Sequence, residues 1–330
     1  MSLCYIDLSK VDFLTGEKTK QNTANCYIIK KPGKYKFPIV YGNSIKNGED
    51  NKGSYENINF YDKDRSIKCP FIFRDLGIDE DNSVLSLKIL WHNTKVNITN
   101  LKFDFMKQYI KFKIKVGKDF NFGGNVIIGL VINYKLIWTW HIWYYPFEIE
   151  PYDIGFHNKK KFIPKKYNDL ISILPIPLGF CGLDYKEEKI RPIKCFYTYG
   201  DLIPKATSYP FDTDVKLKIY FTDWAREKQG SIQWSEKIIT DPCPPGWKVP
   251  GIIVFKELGT VLCKNVEKSN PQNQSLILNC FRRNLNQLEL ICWSCSEMIE
   301  CRLSDSSCIM LKVDSKIRNR IIIPSRDCTR

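Results

Sequence analysis

Histidine is scarce in this chain. His92, His141 and His157 are the only three among 330 residues, so a His-based catalytic triad or a multi-histidine metal site is hard to assemble. The Gly-x-Ser-x-Gly elbow, the P-loop and the Rossmann fingerprint are missing as well. Acidic pairs exist at Asp79-Glu80 and Glu148/Glu150, but in loop-like or strand-end sequence, whereas glycoside hydrolysis needs two carboxylates facing across a cleft. The expectation is a chain that is not an enzyme, with no catalytic residue, no cofactor and no resident metal.

Long apolar runs are lacking too. The longest candidate, VIIGLVINYKLIW (126–138), is interrupted by Asn133 and Lys135 and falls short of a membrane-spanning helix. The start, MSLCYIDLSK, has no apolar stretch or small-residue cleavage site of the kind a secretion signal carries. Two readings stay open on that ground: a cytosolic chain, or a mature or truncated piece of an exported one. Cysteine favours export. There are thirteen, and eight of them, Cys243 to Cys328, crowd the C-terminal quarter, a density typical of disulfide scaffolds. The competing reading of Cys292, Cys295, Cys301 and Cys308 is a Cys₄ zinc site, yet a zinc ribbon shows two C-x₂-C knuckles and only one is visible here.

Acidic residues are outnumbered, 36 against 50 Lys and Arg, for a formal charge of +14. Such a balance suits contact with anions: nucleic acid, acidic glycan or a lipid surface. The lysines are scattered, however, and often alternate with apolar residues as on the wet face of a sheet. We therefore expect no nucleic-acid partner.

With 43% apolar and 13% aromatic residues, the chain can build real cores, and its length suits two domains. ANCYIIKKPGKYKFPIV (24–40) reads as a hairpin turning at Pro32-Gly33. Residues 41–60 read as a long exposed loop, and SVLSLKILW (83–91) as a strand. YIKFKIKVG (109–117) alternates strictly, with Ile110, Phe112, Ile114 and Val116 on one face and Lys111, Lys113 and Lys115 on the other. A second hairpin turns at Asn133-Tyr134. Its return strand holds WTWHIWYY (138–145), bulky and mostly apolar on both faces: Trp138, Trp140, Ile142 and Tyr144 point one way, and Ile137, Thr139, His141, Trp143 and Tyr145 the other. That pattern predicts a central strand covered on both sides, with His141 buried and hydrogen-bonded. Residues 151–190 form a connector with a basic cluster at Lys159–Lys161 and Lys165–Lys166 and one short helical stretch near Tyr167 to Ile173. The second half has short strands and frequent Pro, Gly, Trp and Cys.

Several blocks, in order, resemble one family. ANCYII (24–29) with YKFPIVYGNS (35–44), GNVIIGLVINYKLIWTWHIW (124–143), FYTYG (196–200), WSEKIITDPCPPGWKVP (234–250), WSC (293–295), Arg320 and PSRDC (324–328) are similar to the fimbrillin-like and fimbrium-tip cell-surface proteins of Bacteroidetes. The C-terminal portion resembles the Fibrobacter succinogenes major paralogous domain. The resemblance implies an antiparallel β-sandwich module over 1–150, a connector over 151–190, and a disulfide-bridged C-type-lectin-like α+β module over 191–330, so a mainly β or α+β chain. It also implies an exported, lipid-anchored protein of the cell surface or outer membrane whose anchor lies outside this sequence. CWSC (292–295) departs from the family's aromatic-Trp-Ser-Ser pattern, and PSRDC is one residue longer than its closing block.

The function so implied is adhesin-like binding of a glycan or protein ligand. The alternatives are a structural pilus subunit that assembles by strand pairing with other subunits, and a cysteine-rich intracellular metal- or nucleic-acid-binding protein. Candidate ligand-binding residues are the loop aromatics Tyr197, Tyr199, Tyr209 and Trp224. The resemblance places a cysteine at both Cys243 and Cys328. A bridge between them would close a loop of some eighty-five residues and stabilise by roughly 4 kcal/mol. Cys292/Cys295 and Cys301/Cys308 are candidates for local bridges, with connectivity left open by the sequence. In Pro242-Cys243-Pro244-Pro245-Gly246-Trp247, the prolines stiffen the backbone, Gly246 permits a turn and Trp247 supplies a packing plug.

Overall fold

The computed structural model describes residues 4–56, 66–79, 81–92, 97–115 and 123–154. Beyond these it describes 239–249 and short pieces within 170–179, 195–219 and 288–328. The protein is mainly β. Among the described residues, ten strands lie in the first 150: β1 (Ile6–Asp7), β2 (Cys26–Ile29), β3 (Gly33–Pro38), β4 (Ile45–Lys46), β5 (Glu49–Asp50), β6 (Leu85–His92), β7 (Asn97–Asp104), β8 (Tyr109–Lys115), β9 (Gly124–Ile132) and β10 (Lys135–Tyr144). One short helix, α1 (Ile72–Leu76), ends at Gly77 in the left-handed region. Later strands are β11 (Tyr152–Ile154), β12 (Leu170–Ile173), β13 (Cys195–Thr198), β14 (Lys205–Ala206), β15 (Lys218–Ile219), β16 (Leu288–Trp293), β17 (Met298–Leu303), β18 (Ile309–Lys312), β19 (Asn319–Arg320) and β20 (Ser325–Cys328).

Two sheets share one core. The first runs β1-β3-β8-β7 and the second β15-β10-β9-β6, with β2 also on β10. Between them pack Tyr35, Phe37, Ile110 and Phe112 of the first sheet and Ile128, Leu130, Trp138 and Trp140 of the second. The Phe37 and Trp140 rings meet at 5.3 Å between centroids. Alternation on β8 is as expected, with Ile110, Phe112 and Ile114 buried and the intervening lysines outside. The β9–β10 hairpin also forms as expected. Asn133 and Tyr134 both have positive φ, 47° and 65°, which is the requirement of a type I′ turn.

The WTWHIWYY strand is covered on both sides. Trp138, Trp140, Ile142 and Tyr144 enter the core between the sheets. Trp143 and Tyr145 enter a second core on the back of the second sheet, with Cys26, Ile28, Ile127, Leu174, Leu178, Cys243, Trp247 and Val249. One assignment of side changes. The register shifts between Leu136 and Trp138, and this bulge turns Ile137 into the first core beside Trp138.

Four further expectations are corrected. Residues 24–40 are not a hairpin: β2 pairs parallel with β10, whereas β3 pairs with β8 and β1. The Pro32-Gly33 turn carries the chain from one sheet to the other: β2, buried along its whole length, lies along β10, which is itself covered on both faces. The two sheets are accordingly mixed and not purely antiparallel, since β1–β3, β2–β10 and β15–β10 are parallel pairs. Residues 41–45 are buried, and β4 and β5 form a small ribbon where an exposed loop is predicted. Of the stretch near Tyr167 to Ile173, the described part, Leu170–Ile173, is strand β12, held between β11 and β20, where a helical turn is predicted; residues 167–169 lie outside the described residues.

The cover over the second sheet is fastened by buried amides. Asn25 Nδ2 donates to the carbonyls of Ile239, at 2.5 Å, and Asp241, at 2.8 Å. Its Oδ1 accepts from Trp138 Nε1 at 3.0 Å. The Asp241 carboxylate in turn accepts from the backbone N–H groups of Cys243 and Val249, at 2.8 and 3.0 Å. Within this loop Trp247 N–H donates to Pro244 O, and Gly246 has φ +78°, the geometry of a type II turn with Pro245 in its preferred second position. Trp247 is buried and lies against Phe13.

Gly42 is where the chain leaves no room. It has φ +34°, and a Cβ there would collide with Ile239 O and the Asn25 amide. Gly42→Ala is expected to destabilise by about 3 kcal/mol or more through clash plus backbone strain. Gly48→Ala, with φ +83° but open space around it, is expected to lose only about 1 kcal/mol. Urea midpoints of the two variants check this; equal losses would mean that residue 239 does not press on Gly42.

Candidate binding face

The aromatic ligand candidates from the sequence are not gathered by the described structure. Tyr197 lies on β13, opposite Arg320 of β19, and its side chain is outside the described residues. Tyr199, Tyr209 and Trp224 also lie outside them. Cys292 stands opposite Ile299 and Cys301 opposite Leu290 on the β16–β17 pair, while Cys295 and Cys308 are not described. Cys243 is buried in the second core. Cys328 ends β20, opposite Leu170, with its side chain outside the described residues. No disulfide joins any two of Cys4, Cys26, Cys69 and Cys243.

His141 is structural. It is buried, and burial pushes its pKa down to about 3. Asn125 Nδ2 donates to Gly179 O at 2.8 Å, so Asn125 Oδ1 faces the imidazole, and His141 Nε2 lies 2.7 Å from it. An amide oxygen only accepts. The amide oxygen thus sets a proton on Nε2 and burial keeps the ring neutral, fixing strand β9 to strand β10 and to the segment at Gly179.

The outer face of the first sheet is a different kind of surface. Inward Tyr35 and Phe37 leave Lys34 and Lys36 outside on β3; Lys111, Lys113 and Lys115 do the same on β8. Register then sets like charges against each other. Lys34 is directly opposite Lys113, and Lys36 directly opposite Lys111. On the far side Lys102 of β7 also faces Lys111. Like charges directly opposite destabilise a sheet pair, by up to about 1 kcal/mol each.

Only part of this repulsion is relieved. Asp104 takes Lys111 at 2.6 Å, and that hydrogen bond holds its carboxyl below the usual carboxylate range. Asp7 stands in register with Lys36. Two tyrosine rings do the rest: Tyr5 lies 6.0 Å from Lys34 Nζ and 5.5 Å from Lys111 Nζ, and Tyr109 lies 4.6 Å from Lys36 Nζ. Among the described residues no carboxylate ion-pairs with Lys34, Lys36, Lys113 or Lys115. Thr99, opposite Lys113 on β7, keeps a buried hydroxyl oxygen without a hydrogen-bond partner. Both acids sit toward the Tyr109 end, so the Lys34–Lys113–Lys115 end is the bare one. Chemically, a face of this kind can hold anions.

Sequence reading identified the β8 half of this face as a basic strand but not as a site. The missing part was the partner strand: Lys34 and Lys36 lie more than seventy residues away and become opposed only through the sheet register.

No family model, no curated protein and no solved structure matches this chain.

The His141 arrangement sets a pH dependence. In the unfolded chain the imidazole takes a proton near pH 6.5; in the folded chain it resists until about 3. The unfolded state therefore binds more protons across that window, and stability falls as pH drops below 6.5, by up to about 1.4 kcal/mol per pH unit. Denaturant unfolding between pH 7.5 and 5 is expected to show this slope, and His141→Gln to flatten it while lowering stability at pH 7.5. An unchanged slope in the variant would refute a buried neutral imidazole.

Proposed function

We propose that this chain is a non-catalytic binding protein, adhesin-like and displayed at the cell surface, that takes an anionic glycan or protein ligand on the outer face of its first sheet. The observation that carries the reading is the direct opposition of Lys34 to Lys113 and of Lys36 to Lys111, which opposes folding locally and is relieved by a bound polyanion. A protein kept for stability alone would gain from a Glu at either position of a pair. Retaining lysine on both strands sets stability against binding, which is the trade-off expected of a functional surface.

The finer architecture belongs to the same reading: a β-sandwich over 1–150, a connector over 151–190 and a C-type-lectin-like module over 191–330. The resemblance of the Asp-Pro-Cys-Pro-Pro-Gly-Trp block to fimbrium-tip proteins supports it, and so does the buried, doubly hydrogen-bonded turn that this block forms. The Cys243–Cys328 bridge and the loop aromatics Tyr197, Tyr199, Tyr209 and Trp224 remain part of the proposal as the second module's bridge and contact residues.

Lys113→Glu separates stability from binding. In low salt the variant is expected to be more stable than the parent by about 0.5–1 kcal/mol, because a like-charge pair becomes an opposite one. Inorganic polyphosphate is expected to raise the parent's thermal midpoint and to leave the variant's nearly unmoved. A parent that ignores polyphosphate, or a variant that responds as the parent does, overturns the proposal.

A further inference from the structure

The geometry points to a linear, multiply sulfated polysaccharide as the ligand of this face, lying along β3 and β8. The inference rests on the reading of the lysine face as the binding surface and adds the chemistry of the occupant.

Spacing is the first reason. Lys111, Lys113 and Lys115 on one strand and Lys34 and Lys36 on the next form two parallel rails. Along each rail the repeat is two residues, about 7 Å, and the rails are about 4.8 Å apart. A ligand that follows the rails meets cations in facing pairs, so it must bring more than one anion per repeat or an anion that serves two ammonium groups at once. A sulfate ester has three terminal oxygens and can accept from both Lys34 and Lys113. A phosphodiester offers two terminal oxygens and one charge per nucleotide. A carboxylate on an extended peptide offers two oxygens, and only every second residue faces the sheet.

The aromatic rings are the second reason. Single-stranded nucleic acid gains much of its affinity by stacking bases on exposed rings. Here the rings already serve the lysines: Tyr5 holds Lys34 and Lys111, and Tyr109 holds Lys36. Stacking a base would displace those ammonium groups, whereas a sulfated sugar needs only the ammonium groups themselves. Flatness is the third. Along β3 and β8 the apolar side chains face inward, and the exposed apolar residues of this sheet, Ile6 on β1 and Met106 in the β7–β8 turn, lie off the two rails, so the rails themselves present ammonium groups and not an apolar wedge to a lipid surface.

The test uses the full chain and four probes: size-graded heparin oligosaccharides, N- and O-desulfated heparin, oligo(dT), and phosphatidylserine vesicles. Heparin oligosaccharides are expected to bind with affinity rising with length until the rails are spanned. The affinity should fall with salt at a log–log slope near −3, about −0.7 for each of Lys34, Lys36, Lys113 and Lys115. Desulfation is expected to remove binding, and the Lys34→Glu/Lys113→Glu double variant to weaken it at least tenfold. If that variant does not fold, Lys34→Gln/Lys113→Gln is read in its place. Oligo(dT) or vesicles binding as tightly as heparin at equal salt would overturn the sulfate assignment while leaving the binding face standing. Heparin binding that survives both double variants would overturn it too, by placing the site elsewhere. A chain stabilised by polyphosphate yet blind to heparin would sink this inference alone; a chain blind to every polyanion would sink the proposed function with it.

Discussion

A strand pair that is apolar on both faces cannot be left half in water, and the rest of this molecule is arranged around that constraint. All nine residues of β9 and nine of the ten in β10 are buried. The first sheet covers one side. For the other side the chain brings in Leu174, Leu178, Cys243, Trp247 and Val249. The core behind β9 and β10 is therefore completed by chain from beyond residue 150. Deleting that cover would expose Trp143 and Trp91, two rings whose burial is worth several kcal/mol each.

Covering a sheet with irregular chain brings backbone polar groups into an apolar interior, where each one left unpaired costs about 1–3 kcal/mol. Two asparagines answer this. Asn25 spends both halves of its amide, the donor side on Ile239 and Asp241 and the acceptor side on Trp138. Asn125 does likewise between Gly179 and His141. Each amide joins one strand of the sheet to one covering segment, so packing and hydrogen bonding specify the same arrangement. The neutrality of His141 follows from this placement: burial penalises a charged imidazole. Its role is to complete a lattice of hydrogen bonds, at the expense of stability in acid.

Much of this was legible where the signal is local. The alternation of residues 109–115, the type I′ turn at Asn133-Tyr134 and the two-sided burial of residues 138–145 depend on near neighbours, and the sequence pattern displays each. The failures share a cause. A Pro-Gly turn between two apolar runs looks the same whether those runs pair or enter different sheets; the choice lies with the burial of β2, which is a tertiary fact. The bulge that redirects Ile137 leaves no mark on the hydrophobic period. Residues 41–45 read as loop by composition, yet Thr23 and Asn51 draw them inward through bonds such as Ile45 N–H to Thr23 Oγ1 at 3.0 Å. The candidate face was half legible: β8 announces a basic outer surface, but the opposition of Lys34 to Lys113 belongs to the register.

That register has its own logic. Shifting β3 by one residue against β8 would bury Lys34 and Lys36 and expose Tyr35 and Phe37, so the inward face alone fixes the pairing. The lysines are thus carried into opposition by the core and have no freedom to slide apart. Only their side chains can respond: Lys34, Lys36 and Lys111 lean on Tyr5, Tyr109 and Asp104, while Lys113 and Lys115 meet no carboxylate among the described residues. A two-residue repeat cannot favour the inner face and separate the outer charges at the same time unless the outer residues differ in sign. In this protein they do not. The resulting surface is rigid, because the core that sets it is close-packed. It is also preorganised, because an arriving anion finds the ammonium groups already gathered and the strand geometry already fixed. That is the condition under which a few screened surface charges give a defined site instead of a diffuse field.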